Sequence, residues 1–114
     1  MEIEKYRKII KSIVEKNFES DLDDREVETQ IVFDLERDRY LMFHVGWCGE
    51  KRVFGCVIHV EIRSGQIWIQ RDGTEVGIAN ELIEAGVSKS DIVLGYRSPY
   101  MRKFTKLGRE VYKY

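Results

Sequence analysis

Apolar residues recur at three- and four-residue steps from the first turn of the chain: Ile3, Tyr6, Ile10, Ile13, Val14 and Phe18. That spacing lays them along one stripe and predicts an amphipathic helix, with Lys5, Lys8, Lys11, Glu15 and Lys16 mostly on the other side. The helix is expected to stop before the acidic stretch Glu19-Ser20-Asp21-Leu22-Asp23-Asp24, which lacks periodicity and reads as a loop. The period then changes to two. Val27, Thr29, Ile31 and Phe33 alternate with Glu28, Gln30, Val32 and Asp34, the pattern of a strand with one buried face. A polar turn at 36–39 leads into a second strand, Tyr40 to Trp47, and a turn at 48–51 into a long third, Arg52 to Arg63. Gly55 in that strand marks a bulge or a close backbone contact. Ser64-Gly65 suits a two-residue hairpin turn, and Gln66 to Arg71 completes four strands of an antiparallel meander.

Beyond the sheet, Asp72-Gly73-Thr74 breaks the pattern. Thr74 is placed to cap a short helix over 75–86, which carries Val76, Ala79, Leu82 and Ile83 and ends at Gly86. Ser88-Lys89-Ser90-Asp91 resembles a capping box opening a further turn of helix, and Ile92, Val93 and Leu94 are expected to plug the core. The fold class is therefore α+β: an antiparallel sheet of four or more strands with the N-terminal helix and the 75–86 helix on one face. No internal repeat is visible.

The chain has 114 residues, enough for a single domain over 1–114. Hydrophobic residues make up 43 %, which excludes a disordered chain. No apolar run approaches the roughly 18 residues needed to span a membrane, and the charged amphipathic start does not read as a signal peptide. A cytoplasmic protein is expected, with Cys48 and Cys56 as free thiols. The formal net charge is −1, but it is unevenly placed. Residues 96–114 carry Arg97, Arg102, Lys103, Lys106, Arg109 and Lys113 against Glu110, a local excess of five positive charges interleaved with aromatic rings.

Candidate chemistry is sparse. His44 and His59 lie on adjacent strands, but a turn centred on Gly49-Glu50 sets His59 opposite Tyr40, several residues from His44, and no third ligand is in sight. The cysteines have no histidine or zinc-type spacing beside them. Asp72, Glu75 and Glu81 could serve acid–base work, or simply meet a helix dipole. No catalytic residue, metal site or cofactor is expected. Trp47 and Trp68 are better candidates, as tryptophan is enriched in contact hot spots. The basic aromatic tail could stack on bases and neutralise phosphates, or lie on an acidic protein surface.

Five blocks of sequence carry a resemblance. "YRKII" at Tyr6–Ile10, "VETQIVFDLERDRYLMFHVGW" at Val27–Trp47, "RVFGCVIHVEI" at Arg52–Ile62, "GQIWIQRDGTEVGIANELIEAGV" at Gly65–Val87 and "DIVLGYRSPYMRKFT" at Asp91–Thr105 closely resemble the XisI family. The likeness runs from about Tyr6 to Thr105. It departs at Ser88, where the family pattern has proline, and over Lys106–Tyr114, which matches no family pattern. Members are called excision controlling factors of the fdxN element, a cyanobacterial DNA element removed by site-specific recombination. The recombinase is a different protein, and a neighbouring partner, XisH, resembles an endonuclease-type fold. The resemblance implies a non-enzymatic accessory factor that binds an XisH-type protein, with an antitoxin-like inhibitor of that nuclease as another role it allows.

On this reading the expected partner contacts are Trp47, Trp68, Asp72, Thr74, Glu75, Tyr96, Arg97, Tyr100 and Arg102. A homodimer is expected from exposed tryptophan and the split charge. The runner-up is direct DNA binding through Arg102, Lys103, Lys106, Arg109 and Lys113. A nuclease-like enzyme using Asp72 and Glu75 ranks last.

Overall fold

The computed structural model describes residues 2–20, 26–105 and Leu107. Helix α1 (Glu2–Ser20) is followed by strands β1 (Val27–Asp34), β2 (Arg39–Cys48), β3 (Lys51–Arg63) and β4 (Gln66–Asp72). Helix α2 (Ile78–Glu84), a 3-10 turn (Lys89–Asp91), strand β5 (Ile92–Leu94) and the single-turn helix α3 (Pro99–Arg102) complete the order. The five strands lie side by side in chain order. β1 to β4 form the expected antiparallel meander, and β5 joins β4 in parallel. A parallel neighbour needs a crossover, and the segment containing α2 supplies it.

Alternation decides what is buried. Tyr40 and Met42 on β2, Ile58 and Val60 on β3, Ile67 and Ile69 on β4 and Ile92 on β5 point to one side of the sheet. They pack there against Tyr6, Ile10, Ile13 and Val14 of α1 and Ile78 and Leu82 of α2. α1 runs two residues further than its apolar pattern implies. Its last turn is held from within, Asn17 Nδ2 donating to the Ile13 carbonyl at 2.9 Å and Ser20 Oγ to the Asn17 carbonyl at 3.3 Å. Phe18, read as part of the stripe, lies past the sheet contact and is 38 % exposed. Of the acidic stretch that follows, residues 21–25 lie outside the described residues, as do Lys106 and residues 108–114, which include Arg109 and Lys113.

Two bulges alter the expected register. Met42 pairs with Ile58 but Phe43 with Cys56, so Val57 is an extra residue in β3. His59 pairs with Arg71 but Val60 with Ile69, so Gln70 is extra in β4. His59 therefore sits opposite Leu41 and not Tyr40. Alternation then directs His44, opposite Gly55, to the helix side and His59 to the other. The bulge falls at Val57, two residues beyond the glycine expected to mark it.

α2 begins at Ile78, later than the 75–86 span read from its apolar residues. Gly77, at φ +98°, is its N-cap residue, not Thr74. Asp72 organises this entry: one carboxylate oxygen accepts from Ile78 N at 2.7 Å, the other from Thr74 N at 2.9 Å and Thr74 Oγ1 at 2.6 Å. Gly86 adopts φ +99°, the left-handed conformation expected after the helix. Ser88 is the N-cap of the expected further turn, which is 3-10, but its side chain makes no cap hydrogen bond. Ser88 Oγ meets Ser90 Oγ at 2.9 Å, and the Asp91 carboxylate accepts instead from Tyr6 Oη at 2.6 Å.

Gly46 sits where the sheet leaves no room for a side chain. A Cβ there would lie 1.9 Å from the Glu26 carbonyl oxygen, the same atom that accepts from Trp47 N at 2.7 Å. At Gly55 a Cβ would meet none of the described residues within 4 Å. Gly46→Ala is expected to lower stability by about 1–3 kcal/mol through forced backbone displacement. Gly55→Ala is expected to be neutral or slightly stabilising. Urea unfolding of the two variants measures the contrast.

Candidate functional site

α1 and α2 cover one face of the sheet; the other, the open face, carries the side chains that alternate with the core. Pairing places Asp34, Arg39, Glu61, Trp68 and Val93 across one end of it, and Val45, Phe54, Trp47 and Arg52 across the other.

At the first end sits a carboxylate network. Glu61 is 3 % exposed although it points away from α1 and α2. Its oxygens are engaged by Arg63 Nε, by Arg39 Nε at 3.3 Å, by His59 Nε2 at 2.9 Å and by Gln70 Nε2 at 3.3 Å. Burial alone would push this carboxyl up. The hydrogen bonds from His59 and Gln70, with the charges of Arg63 and Arg39, outweigh burial and hold it below the usual range. Trp68, opposite Glu61, has the Arg63 guanidinium 5.3 Å from its ring centroid and that of Arg102 at 5.1 Å. Arg102 also fastens the C-terminal segment. Its Nε donates to the carbonyls of Arg97 (3.0 Å) and Leu94 (3.2 Å), and its Nη2 to that of Gly95 (3.4 Å).

At the second end the β2–β3 hairpin projects past β4, which pairs with β3 only from Ile58 onward. Its outer side is aromatic. Phe54 is 67 % exposed and Trp47 49 %. The Arg52 guanidinium lies over both rings, 5.3 Å from Trp47 and 5.8 Å from Phe54, and donates from Nη1 to the Gly46 carbonyl at 3.3 Å. Phe43 stacks behind, its centroid 6.4 Å from that of Phe54. Exposed Trp, Phe and Arg held in one cluster are the residue types that dominate contact energies between proteins.

The residues singled out from sequence do not form one patch. Trp47 belongs to the aromatic arm, and Trp68 to the carboxylate network at the opposite end of the open face. Asp72 and Thr74 are committed to the β4–α2 turn; Thr74 Oγ1 also accepts from Gly77 N at 3.1 Å. Glu75 is exposed beside them. Tyr96 and Tyr100 are exposed on the C-terminal segment, with Arg97 over the Tyr96 ring at 5.2 Å and Lys103 over Tyr100 at 4.3 Å. Sequence reasoning passed over Phe43, Arg52, Phe54, Arg39, Glu61 and Arg63. Strand alternation in β2 and β3, apolar on both faces near the hairpin, was the signal for the first three.

On the helix side an open cleft of about 360 Å³ lies between the end of α1 and the β4–α2 turn, bordered by Asn17, Met42, His44, Val57 and Glu75. Among the described residues no group of three or more His, Cys, Asp and Glu side chains could hold a metal ion, and no helix is long and apolar enough to cross a membrane. Burial pushes the Cys56 thiol up, and its Sγ donates to the Ile58 carbonyl at 3.2 Å, the opposite of nucleophilic activation.

A family model described as XisI protein matches residues 1–108. Two solved structures from Anabaena variabilis ATCC 29413 are similar along nearly the whole chain. A XisI-like protein is 38 % identical, with a TM-score of 0.89 over 96 % of this chain and 99 % of that one. The fdxN element excision controlling factor XisI is 34 % identical, with a TM-score of 0.82 over 95 % and 98 %. No protein with curated annotation matches the chain.

Two predictions follow from the network. Because the Glu61 carboxyl is held low in the folded chain, its contribution is complete above the ordinary glutamate value of about 4.3 and is lost as pH falls through its own lower value. Glu61→Gln should cost about 3 kcal/mol at neutral pH and flatten the acid side of the stability profile, read by denaturant melts from pH 7 downward. Arg102→Ala should speed amide exchange across 95–105 while β1–β4 keep their protection, measurable by hydrogen exchange.

Proposed function

Because this chain belongs to the XisI family, we propose that it is a non-catalytic accessory factor in the control of site-specific DNA-element excision. It acts by binding a second protein, of the XisH type, through the aromatic arm. The observation that carries this reading is the Trp47–Arg52–Phe54 cluster, large rings left in solvent and held in place by a guanidinium from the same hairpin. Such rings give up little conformational freedom on burial, and Arg52 can turn its remaining donors toward a partner.

The disposition of the carboxylates supports the non-catalytic part. Asp72 shapes a turn, Asp91 anchors Tyr6, and Glu61 is surrounded by its own cations. Glu81 is paired with Lys16 at 2.8 Å and Asn17 at 3.2 Å. Acid–base chemistry needs a carboxylate facing a substrate, and these four face the protein.

A second reading, direct contact with nucleic acid, is favoured by the exposed Tyr100, Lys103 and Phe104, where one ammonium rests over two rings, 4.3 and 5.3 Å from their centroids. Arg102 is turned inward, so this reading rests on Lys103 and the aromatic pair. It requires a DNA affinity that falls steeply with salt.

Co-purification with a neighbouring XisH-type protein tests the first reading. Trp47→Ala and Phe54→Ala should each weaken the complex about tenfold or more. An unchanged complex in both variants would remove the arm from the interface. A chain that binds no such protein, yet binds DNA in a salt-dependent way lost in Lys103→Ala, would favour the second reading.

A further inference from the structure

β3 runs from Lys51 to Arg63, but β4 pairs with it only over Ile58 to Arg63. From Lys51 to Gly55, β3 has β2 on one side and, among the described residues, no strand on the other. The direction of the free groups follows from the turn. Gly49-Glu50 is a two-residue connection closed by the Cys48–Lys51 pair. An antiparallel ladder alternates from there, so Lys51, Val53 and Gly55 exchange hydrogen bonds with β2. The N–H and C=O groups of Arg52 and Phe54 point away from it. The Cys56 carbonyl points the same way, and Arg71 Nε reaches it from the β4 side at 3.3 Å.

Gly55 is a second observation at the same edge. A glycine inside a strand often marks the close approach of another backbone. Here nothing among the described residues comes within 4 Å of the Cβ it lacks, and its φ is not left-handed. No contact among the described residues calls for glycine at this position, and the space over its helix-side face is open.

We propose that this edge is a seam between two copies of the chain, β3 pairing antiparallel with β3 of the second copy across a two-fold axis at Val53. In that register the outward-pointing groups of Arg52 meet those of Phe54 on the other copy, and the converse. A guanidinium and a ring are thus the facing side chains on the open face, instead of two like charges. Lys51 falls opposite Gly55, where no Cβ competes for space. Glu50 falls opposite Cys56 of the second copy, at the carbonyl that Arg71 reaches, so each end of the seam sets a carboxylate near a guanidinium. The far edge of the sheet is unsuited to the same role. β1 is flanked and lined by Glu26, Glu28, Asp34 and Glu36, which repel a second β1. Pairing at β3 leaves both open faces free and brings two aromatic arms side by side.

Sedimentation of the full chain, alone and at micromolar concentration, tests the seam without reference to any other protein. The expected species has twice the 13.5 kDa chain mass. Phe54→Pro deletes an N–H that points out of the sheet while leaving the β2–β3 ladder whole. It should weaken the dimer about tenfold or more with the circular dichroism spectrum kept. Glu50→Arg and Arg71→Glu should each weaken it as well, and mixing the two variants should restore a heterodimer, since both ends of the seam regain opposite charges. A monomeric parent chain overturns the proposal. So does a dimer unaffected by a folded Phe54→Pro and by both charge variants. A monomer whose capture of the XisH-type protein is lost in Phe54→Pro well beyond the loss in Phe54→Ala assigns the edge to a strand of that protein and overturns the second copy as its occupant.

Discussion

The architecture depends on one inequality of length. β3 has thirteen residues and its neighbour β4 seven, and the turn at Ser64-Gly65 aligns them at one end only. Both residues of that turn take positive φ, 49° and 76°, which locks the hairpin and leaves the excess length of β3 at the other end. The core forms where β3 has a neighbour on each side, beneath α1 and α2. Where it has one neighbour, the hairpin leaves the shelter of the helices, and its aromatic residues are held by a cation from the same strand. A longer β4 would cover the edge; a shorter β3 would abolish the arm.

Charged groups in this chain serve geometry more than chemistry. Asp72 replaces the missing side chain of the Gly77 cap, Asp91 joins the last strand to the first helix, and Glu61 draws two guanidinium groups and an imidazole onto the sheet face that α1 and α2 leave uncovered. Each is a hydrogen-bond acceptor with directional demands, and each fixes a segment that apolar packing alone would leave free to slide. The exposed clusters around Trp47 and Tyr100 are aromatic and cationic while the β1 edge is acidic, and the near-neutral net charge conceals how unevenly the signs are distributed.

Much of this was legible in the residues. Period-two alternation located four strands to within a residue or so, and glycine at 49, 65 and 86 stands at three of the six positions of positive φ among the described residues. The resemblance to the XisI family agreed with the fold. What was not legible has physical reasons. A bulge needs one extra residue of any type, and neither Val57 nor Gln70 carries a local mark; the register of His59 shifted with it. The start of α2 was obscured because Thr74, Glu75 and Val76 suit a helix, while the acceptor that sets its beginning, Asp72, acts from six residues away. Ile92–Leu94 read as a core plug because a parallel strand depends on a neighbour distant in sequence. The contact candidates Asp72, Thr74 and Arg102 have the composition of a binding surface, and only their hydrogen bonds reveal that they face inward.

The hydrogen bond from Tyr6 to Asp91 joins residues 85 positions apart, between the first helix and the turn before the last strand. Burial, reinforced by the Asp91 carboxylate, pushes the Tyr6 phenol far above its ordinary value, so the proton stays in this bond at any physiological pH. On a ribosome the chain emerges from the Tyr6 end, and the acceptor arrives only after the whole meander has been made. Until then the Tyr6 side chain of the first helix lacks the acceptor that fixes it. This long-range link can therefore close only after the strands between its two residues have been made.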